Sequence, residues 1–426
     1  MSASPPPRSA PAPLSSSVPP ASAPLHLAVA LDGAGWHPTA WRDPRSRPDG
    51  LFTAGYWLDA VQEAEHGLID FVTFEDALSL QSTDPAGDDQ RTDQVRGRLD
   101  AVLTAAAVAP LTRHIGLVPT AVVTHTEPFH LAKAIATLDH VSRGRAGVRV
   151  RISASAHEAA HFGRRELPEF RPRDSGHPAA RQLIHELFGE AADYVEVLRR
   201  LWDSWEDDAE IRDTATGRFI DRTKLHYIDF EGEHFSVKGP SITPRSPQGQ
   251  PLVTALAHGP VPYGLVGSSA DVGFVTPHDA SGARAATDAV LAAREAAGRG
   301  GDTGPRHVFG DLVVFLDESE AAAKDRRQRL DETAGAPLTS DAEVFTGTPA
   351  GLADLLLDWR RAGLTGYRLR PAVTGHDLPA ITRGLVPELQ SRGAFRRAYE
   401  ADSLRGLLGL GRPANRYARV RAGGQS

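Results

Sequence analysis

One stretch constrains the fold more than any other: Thr112 to Ser153, which reads TRHIGLVPTAVVTHTEPFHLAKAIATLDHVSRGRAGVRVRIS. Its hydrophobic period changes twice. Apolar and β-branched residues predict a strand over His114 to Val118, a polar loop follows from Pro119 to Glu127, and helical spacing predicts a helix over Pro128 to Val141. A glycine turn from Arg143 to Gly147 leads into a second strand, Val148 to Ile152. Strand, helix and strand in that order form a βαβ unit, whose right-handed crossover admits few topologies. The loop after the first strand carries Thr120, Thr124, His125, Thr126 and Glu127. Ligands collect at that end of the strands in α/β folds, so these are candidate site residues.

The same alternation runs through the rest of the chain. LHLAVAL from Leu25 is the first strand, and the long loop DGAGWHPTAWRDPRSRPDGLF after it holds Trp36, His37 and Trp41. Loops of that length in a compact domain usually carry function. Residues 52–66 space Phe52, Trp57, Val61 and Ala64 as a helix does, IDFVTF is the second strand with Glu75 and Asp76 at its carboxyl end, and Asp93 to Ala109 is the second helix. Ala154 to Ala180, irregular and rich in His, Arg and Pro, reads as an insertion. Arg181 to Trp205 is one long helix with Leu187, Ala191, Tyr194 and Leu198 along a stripe. Residues 206–250 are polar and turn-rich, with a hairpin in LHYIDFEGEHFSVKGP. Then come strand PLVTALA, helix Val261 to Ser269, strand DVGFVTP, helix Gly282 to Gly298, strand HVFGDLVVFL, helices Glu318 to Thr333 and Pro349 to Ala362, and strand YRLRPAV. Eight alternations predict an α/β protein, a (β/α)8 TIM barrel forming one domain over 25–426 with insertions around 154–180 and 206–250.

Residues 1–24 are Pro, Ser and Ala with almost no large apolar side chain, which predicts a disordered tail without the apolar core of a secretion signal. The 426 residues include no cysteine, so disulfides, thiolate metal sites and cysteine nucleophiles are excluded and a cytoplasmic location is expected. No apolar run approaches the roughly eighteen residues that span a bilayer, so no membrane association is expected. The net charge of −7 gives no basic field for nucleic acid. His157 and His161 have the i, i+4 spacing of helix-borne metal ligands, but no third ligand stands out and no metal is expected. Gly347 to Pro349 reads as a helix entrance, with Thr348 as cap and Pro349 at the first helical position.

Several segments together resemble the luciferase-like flavin monooxygenases, in particular the branch of nitrilotriacetate, EDTA and dibenzothiophene sulfone monooxygenases. They are GAGWHPTAWRDP, FVTFEDAL, IGLVPTAVVTHTEPFHLAKAIATLDHVSRGRAG, LRRLWDSWEDDA, EGEHFSVKGPSITPRSPQGQP, GTPAGLADLLLDW and the closing LVPELQSRGAFRRAYEADSLRGLLGLGRPANRYA. The resemblance implies a (β/α)8 barrel that takes reduced FMN from a separate, transiently bound flavin reductase. It further implies reaction with O2 through a C4a-peroxyflavin, insertion of one oxygen atom into a small organic substrate, and a homodimer or homotetramer.

Carried over by position, the family's acidic residue after strand two falls on Asp76 and its threonine after strand three on Thr120. The family's His and Tyr on the long helix fall on Ile184 and Phe188, which lack the imidazole and the phenol. Its two phosphate-binding serines after strand five fall on His258 and Gly259, and Pro260 and Pro262 remove two backbone donors beside them. The resemblance therefore implies flavin contacts at Asp76, Thr120, Phe188, His258 and Gly259, with capping of the next turn as the plainer role for Asp76. His37 and His125 are the catalytic candidates, His37 for substrate contact or proton transfer and His125 for contact with flavin or substrate. The substitutions at the phosphate end leave a second reading open, a non-catalytic barrel acting as a binding or partner subunit.

Overall fold

The structure is a computed structural model that describes residues 24–82, 90–169, 176–299 and 307–418. The proline-rich start, residues 1–23, lies outside the described residues. Strand β1 (His26–Leu31) is buried along almost its whole length, as a strand covered on both faces of a parallel sheet must be. It pairs in parallel with β2 (Phe71–Phe74) on one side and β8 (Gly366–Pro371) on the other. Between them stand β3 (Gly116–Val122), β4 (Gly147–Arg151), β5 (Leu252–Ala257), β6 (Val272–Val275) and β7 (His307–Leu316). Each pairs in parallel with its neighbours in the chain, so the ring closes in sequential order as an eight-stranded barrel. The outer helices are α1 (Ala54–His66), α2 (Ala101–Val108), α3 (Pro128–Val141), α4 (Pro178–Asp203), α5 (Pro260–Ser269), α6 (Ala280–Ala296), α7 (Glu320–Ala334) and α8 (Pro349–Arg361). No described helix is long and apolar enough to cross a membrane.

Helix α3 has the predicted bounds, because Pro128 supplies a missing N–H where none is needed and a buried stripe of Leu131, Ala132, Ile135 and Ala136 faces the sheet. Glu127 takes the N-cap position but makes no cap hydrogen bond, and its carboxylate pairs with Arg164. Thr348 does cap α8, accepting from the Gly351 amide at 3.1 Å.

Three departures from the expectation bear on the site and its frame. Strand β3 continues through Pro119 to Val122 rather than stopping at Val118, which puts Thr120 in the sheet, opposite Arg149 of β4. Helix α2 starts at Ala101 rather than Asp93, because the Asp100 side chain accepts from the Leu103 amide and fixes the start there. A further strand, Glu343–Gly347, pairs with β7. Strand β7 is ten residues long, its pairing with β6 ends at Gly310, and Glu343–Gly347 covers the edge left beyond that point. The predicted hairpin is present as Phe230–Glu231 against Ser236–Val237, next to an unforeseen one, Glu210–Asp213 against Arg218–Ile220.

The lower barrel interior is apolar and aromatic. Phe71, Val118, Leu252, Phe274 and Phe309 pack there with Leu404 and Leu408 of the C-terminal segment, which plugs the floor. Gly116 permits this, since a Cβ on it would stand 2.6 Å from a Leu404 methyl. Above that layer the interior turns ionic, where barrels usually carry branched apolar side chains. Arg149 donates to Glu75 at 2.7 Å, Arg368 donates to Glu75 at 3.0 Å and to Asp311 at 2.9 Å, and Arg370 donates to Asp311 at 3.0 Å and to Asp341 at 2.7 Å. Arg368 also lies over the Phe274 ring at 4.3 Å, joining the two layers.

Burial pushes the Glu75 carboxyl up, but the Arg149 and Arg368 guanidiniums outweigh it and hold it down at about 2. A carboxyl whose folded value lies below its unfolded one stabilises the fold above the unfolded value and loses that stabilisation as pH falls toward the folded one. Stability to urea should therefore be level above about pH 4.5 and decline toward about pH 2. Removing one partner, as in Arg368→Met, should cost roughly 3–5 kcal/mol at neutral pH, because it strands buried carboxylates. A loss below about 1 kcal/mol in urea unfolding would contradict that role.

Candidate active site

Strand ends converge at the carboxyl mouth of the barrel, and there the loops leave a cavity of about 1060 Å³. Its walls are the first loop from Asp32 to Trp41, the segment after β2 from Glu75 to Ser82, residues 94–98, and the end of β4 from Arg149 to Glu158. Glu169, Leu256, Asp341 and Arg370 complete it. The first loop is held tightly. Trp36 Nε1 donates to the Ala30 carbonyl at 3.2 Å and Trp41 Nε1 to the Asp93 carbonyl at 3.0 Å. Gly35 has φ +142°, and a Cβ there would stand 2.3 Å from the Ala372 carbonyl oxygen, so only glycine lets the loop pass the end of β8. Arg370 stacks on the Trp36 ring at 4.5 Å, tying the loop to the ionic layer.

His37 lines the cavity with both ring nitrogens engaged. Nδ1 accepts from the Thr39 amide at 3.2 Å, so the proton sits on Nε2, which donates to Asp331 of α7 at 3.1 Å. Burial lowers its pKa despite Asp331, and the ring is a neutral strut between the loop and α7. Asp32 accepts from Gln81 at 3.0 Å and from Arg98 at 3.2 Å, and burial raises its carboxyl in spite of Arg98. Arg149 reaches Thr120 Oγ1 at 3.2 Å as well as Glu75. Burial pushes this guanidinium down to about 10, which leaves it a cation at neutral pH. Buried Glu158 accepts from the Leu78 amide and the Ser79 hydroxyl, both at 3.1 Å, and Arg151 donates to the Asp76 carbonyl oxygen.

Residues 35–421 match the family model described as luciferase-like monooxygenase. The chain is 29% identical over 458 residues to N-acetyl-S-(2-succino)cysteine monooxygenase of Bacillus subtilis (strain 168), covering 93% of this chain and 98% of that protein. It is likewise 29% identical over 462 residues to nitrilotriacetate monooxygenase component A of Aminobacter aminovorans, with the same coverage. Among solved structures, that of a long-chain alkane monooxygenase superposes with a TM-score of 0.79 at 22% identity, over 91% of this chain and 95% of that one.

The sequence-derived site residues do not all meet in one place. His37 joins the large cavity, and Thr120 stands beneath it through Arg149. His125 instead lines a second cavity of about 270 Å³ with Thr126, Glu190 and Tyr194, where it stacks on Phe162 at 5.4 Å and burial lowers its pKa. Phe188 lies half-buried on α4 and lines neither cavity. His258 is exposed, and Gly259 is the extended N-cap residue of α5. Of the three first positions of α5, only Val261 keeps an N–H, since Pro260 and Pro262 have none. His157 and His161 meet edge to face at 4.8 Å, and no metal-holding group of three ligands occurs among the described residues.

The residues missed by sequence reasoning are Asp32, Arg98, Arg149, Arg151, Glu158 and Arg370. A signal was present for the arginines: RVRIS and YRLRP place charges at period two in strands that a barrel buries on both faces. Asp76 sits beside the inward Glu75, and neighbouring residues of an extended chain point to opposite sides. Its carboxylate accepts from the Ala77 amide at 2.8 Å and from the Ala101 amide, at the start of α2, at 3.0 Å. Asp76→Ala should therefore lower stability by about 1 kcal/mol, the usual worth of a cap. It should also speed hydrogen exchange of the Ala101 amide, and unchanged exchange there would argue against capping.

Proposed function

From its membership of the luciferase-like monooxygenase family, we propose that this protein is the oxygenating component of a two-component system, inserting one atom of O2 into a small organic substrate with reduced FMN. The observation that carries the cofactor assignment is a set of buried polar atoms without partners among the described residues: Arg98 Nε, Arg149 Nε and Gln81 Oε1. All three residues line the large cavity. A buried donor or acceptor left unpaired costs about 1–3 kcal/mol, so a ligand offering both kinds of group is favoured there. The edge of a flavin ring and its ribityl chain offer both. Small-ligand pockets run from ~300 to ~1,000 Å³, and this cavity accommodates a flavin ring with a small substrate beside it.

Bound there, the flavin supplies the electrons that activate O2. The chain's own residues bind, orient and exclude water. Arg98, Arg149 and Gln81 would hold the ring and ribityl chain, with Thr120 fixing the Arg149 guanidinium from below. Trp36 and Trp41 wall the site from solvent, and His37 keeps their loop seated on α7. The phosphate would be left with the His258 ring N–H and the Gly259 and Val261 amides, a poorer grip than a helix start with all its donors. Supply of reduced flavin by a separate reductase accords with the name of the relative from Aminobacter aminovorans, a component A.

Anaerobic titration with reduced FMN tests this reading. Saturable binding is expected, and the double substitution Pro260→Ala with Pro262→Ala, which restores two amides at the start of α5, should tighten it by about tenfold or more, a gain of ~1.4 kcal/mol. Absence of binding at saturating concentrations would sink the proposal and leave the barrel as a binding or partner subunit.

A further inference from the structure

The second cavity, of about 270 Å³, takes no part in the flavin assignment. It shares no lining residue with the large one: across the helical turn Ala156–Ala160, Glu158 lines the large cavity and Ala159 the small one. One group in it is unfinished. His125 is 6% exposed, its ring lies on Phe162 with the two planes 16° apart, and its Nε2 is buried with no hydrogen-bond partner among the described residues. Burial, joined by the Arg165 guanidinium, lowers its pKa against the pull of Glu158 and Glu190. The ring is therefore neutral, with one donor nitrogen and one acceptor nitrogen. Those neighbouring charges settle its protonation but leave Nε2 without a hydrogen bond. The Tyr194 hydroxyl has an unused side as well. Thr126 Oγ1 donates its one proton to the Val122 carbonyl at 3.0 Å, so Tyr194 is the donor in its 3.1 Å contact with Thr126, and its oxygen is left as an acceptor.

We infer that this cavity is a binding site for a neutral phenol, a ligand of one aromatic ring that bears a hydroxyl and no charge. Size sets the first limit. A cavity of roughly 150 Å³ encloses benzene, so this one fits a single substituted ring, and it falls below the ~300 Å³ at which pockets for larger ligands begin. Charge sets the second. The four acidic and arginine side chains of the lining pair two by two, Glu127 with Arg164 and Glu190 with Arg165, so a carboxylate or ammonium on the ligand would have to break a pair to gain a partner. Hydrogen bonding sets the third. A hydroxyl both donates and accepts, so it completes Nε2 whichever nitrogen of His125 carries the proton. Phe162, Tyr194 and Phe235 supply aromatic surface for the ring, and Phe162 is 37% exposed until something covers it. The site stands whether or not the large cavity holds flavin.

Calorimetric titration of the flavin-free full-length protein with 4-methylphenol, toluene, benzoate and benzylammonium tests the site. One equivalent of 4-methylphenol should bind, about fivefold or more tighter than toluene and tighter than either ion. His125→Phe keeps a ring against Phe162 and removes both nitrogens. In that variant toluene affinity should stay within about twofold, which reports an intact cavity, while the preference for 4-methylphenol disappears. Saturation with reduced FMN should leave the affinity for 4-methylphenol within about twofold, since the cavities share no lining residue. In the unsubstituted protein, nuclear Overhauser contacts should join the ligand ring to His125 and Phe162, a readout that needs no variant to fold. No binding of 4-methylphenol, as a water on Nε2 would give, overturns the proposal, as does equal affinity for toluene or for either ion. Absent Overhauser contacts, or an undiminished preference in His125→Phe, overturn it too, and competition by reduced FMN does so by placing the phenol in the large cavity. Selective binding of 4-methylphenol by a protein that does not bind reduced FMN would leave this site standing and remove the monooxygenase reading.

Discussion

Asp311 accepts from two guanidiniums at once, Arg368 and Arg370, and the upper half of the barrel is arranged around that fact. Two arginines on one face of β8 cannot be buried side by side without an anion between them. Asp311 of β7 supplies it, and the remaining donors then reach outward to Glu75 after β2 and to Asp341 before the strand Glu343–Gly347. Glu75 is shared in turn with Arg149 of β4. One ionic ladder thus links β2, β4, β7 and β8 across the barrel interior, and its upper surface is the floor of the cavity. Such a floor is fixed by geometry as well as by charge, because a guanidinium fork tolerates little rotation once two of its edges are engaged.

The walls follow from the floor. Arg370 carries the Trp36 ring, Trp36 is pinned to the Ala30 carbonyl, and the loop returns past Gly35 to the end of β8 with no room for a side chain. His37 then crosses to Asp331, so the first part of this long loop is held by side-chain hydrogen bonds rather than by a sheet or an α-helix. That arrangement suits a site that must keep water out while presenting polar atoms inward. It also explains why His37, which looks in the sequence like an acid or base, has no free ring nitrogen.

Legibility of the sequence followed the strength of the local signal. Helix α3 was readable to the residue because a proline, a stripe of buried aliphatics and a glycine turn all agree. The extra strand Glu343–Gly347 was not, since five residues of mixed polarity carry no period of their own and pair only because β7 outruns β6. In the site, the position of Thr120 on a strand hinged on Pro119, whose missing N–H suggested a break that the parallel ladder accommodates. Glu75 and Asp76 show the sharper limit. Adjacent acids at a strand end are equivalent in sequence, but parity sends one into the ionic ladder and the other to the start of α2. Which is which depends on the register of β2 against β1 and β3, and register is a tertiary property. The buried arginines were visible as charges, but only the closed ring shows that their partners come from strands far away in the chain.

The proposed phosphate end follows from the same physics. A helix start binds an anion through its first free amides, and α5 begins with prolines at two of those three positions. The loss would be local to the phosphate, since the donors and acceptors that would meet the ring lie in the loop after β2, on β4 and in the segment before α2. If the reduced flavin is delivered by a second protein, as we propose, it must enter and leave on each cycle, and tight retention would slow that exchange. Affinity differences within one type of complex reside mainly in the dissociation rate. On the proposed function, a barrel that oriented the ring through a rigid ionic floor while holding the phosphate loosely would separate the two requirements: precision where oxygen and substrate meet, and rapid release at the end that does no chemistry.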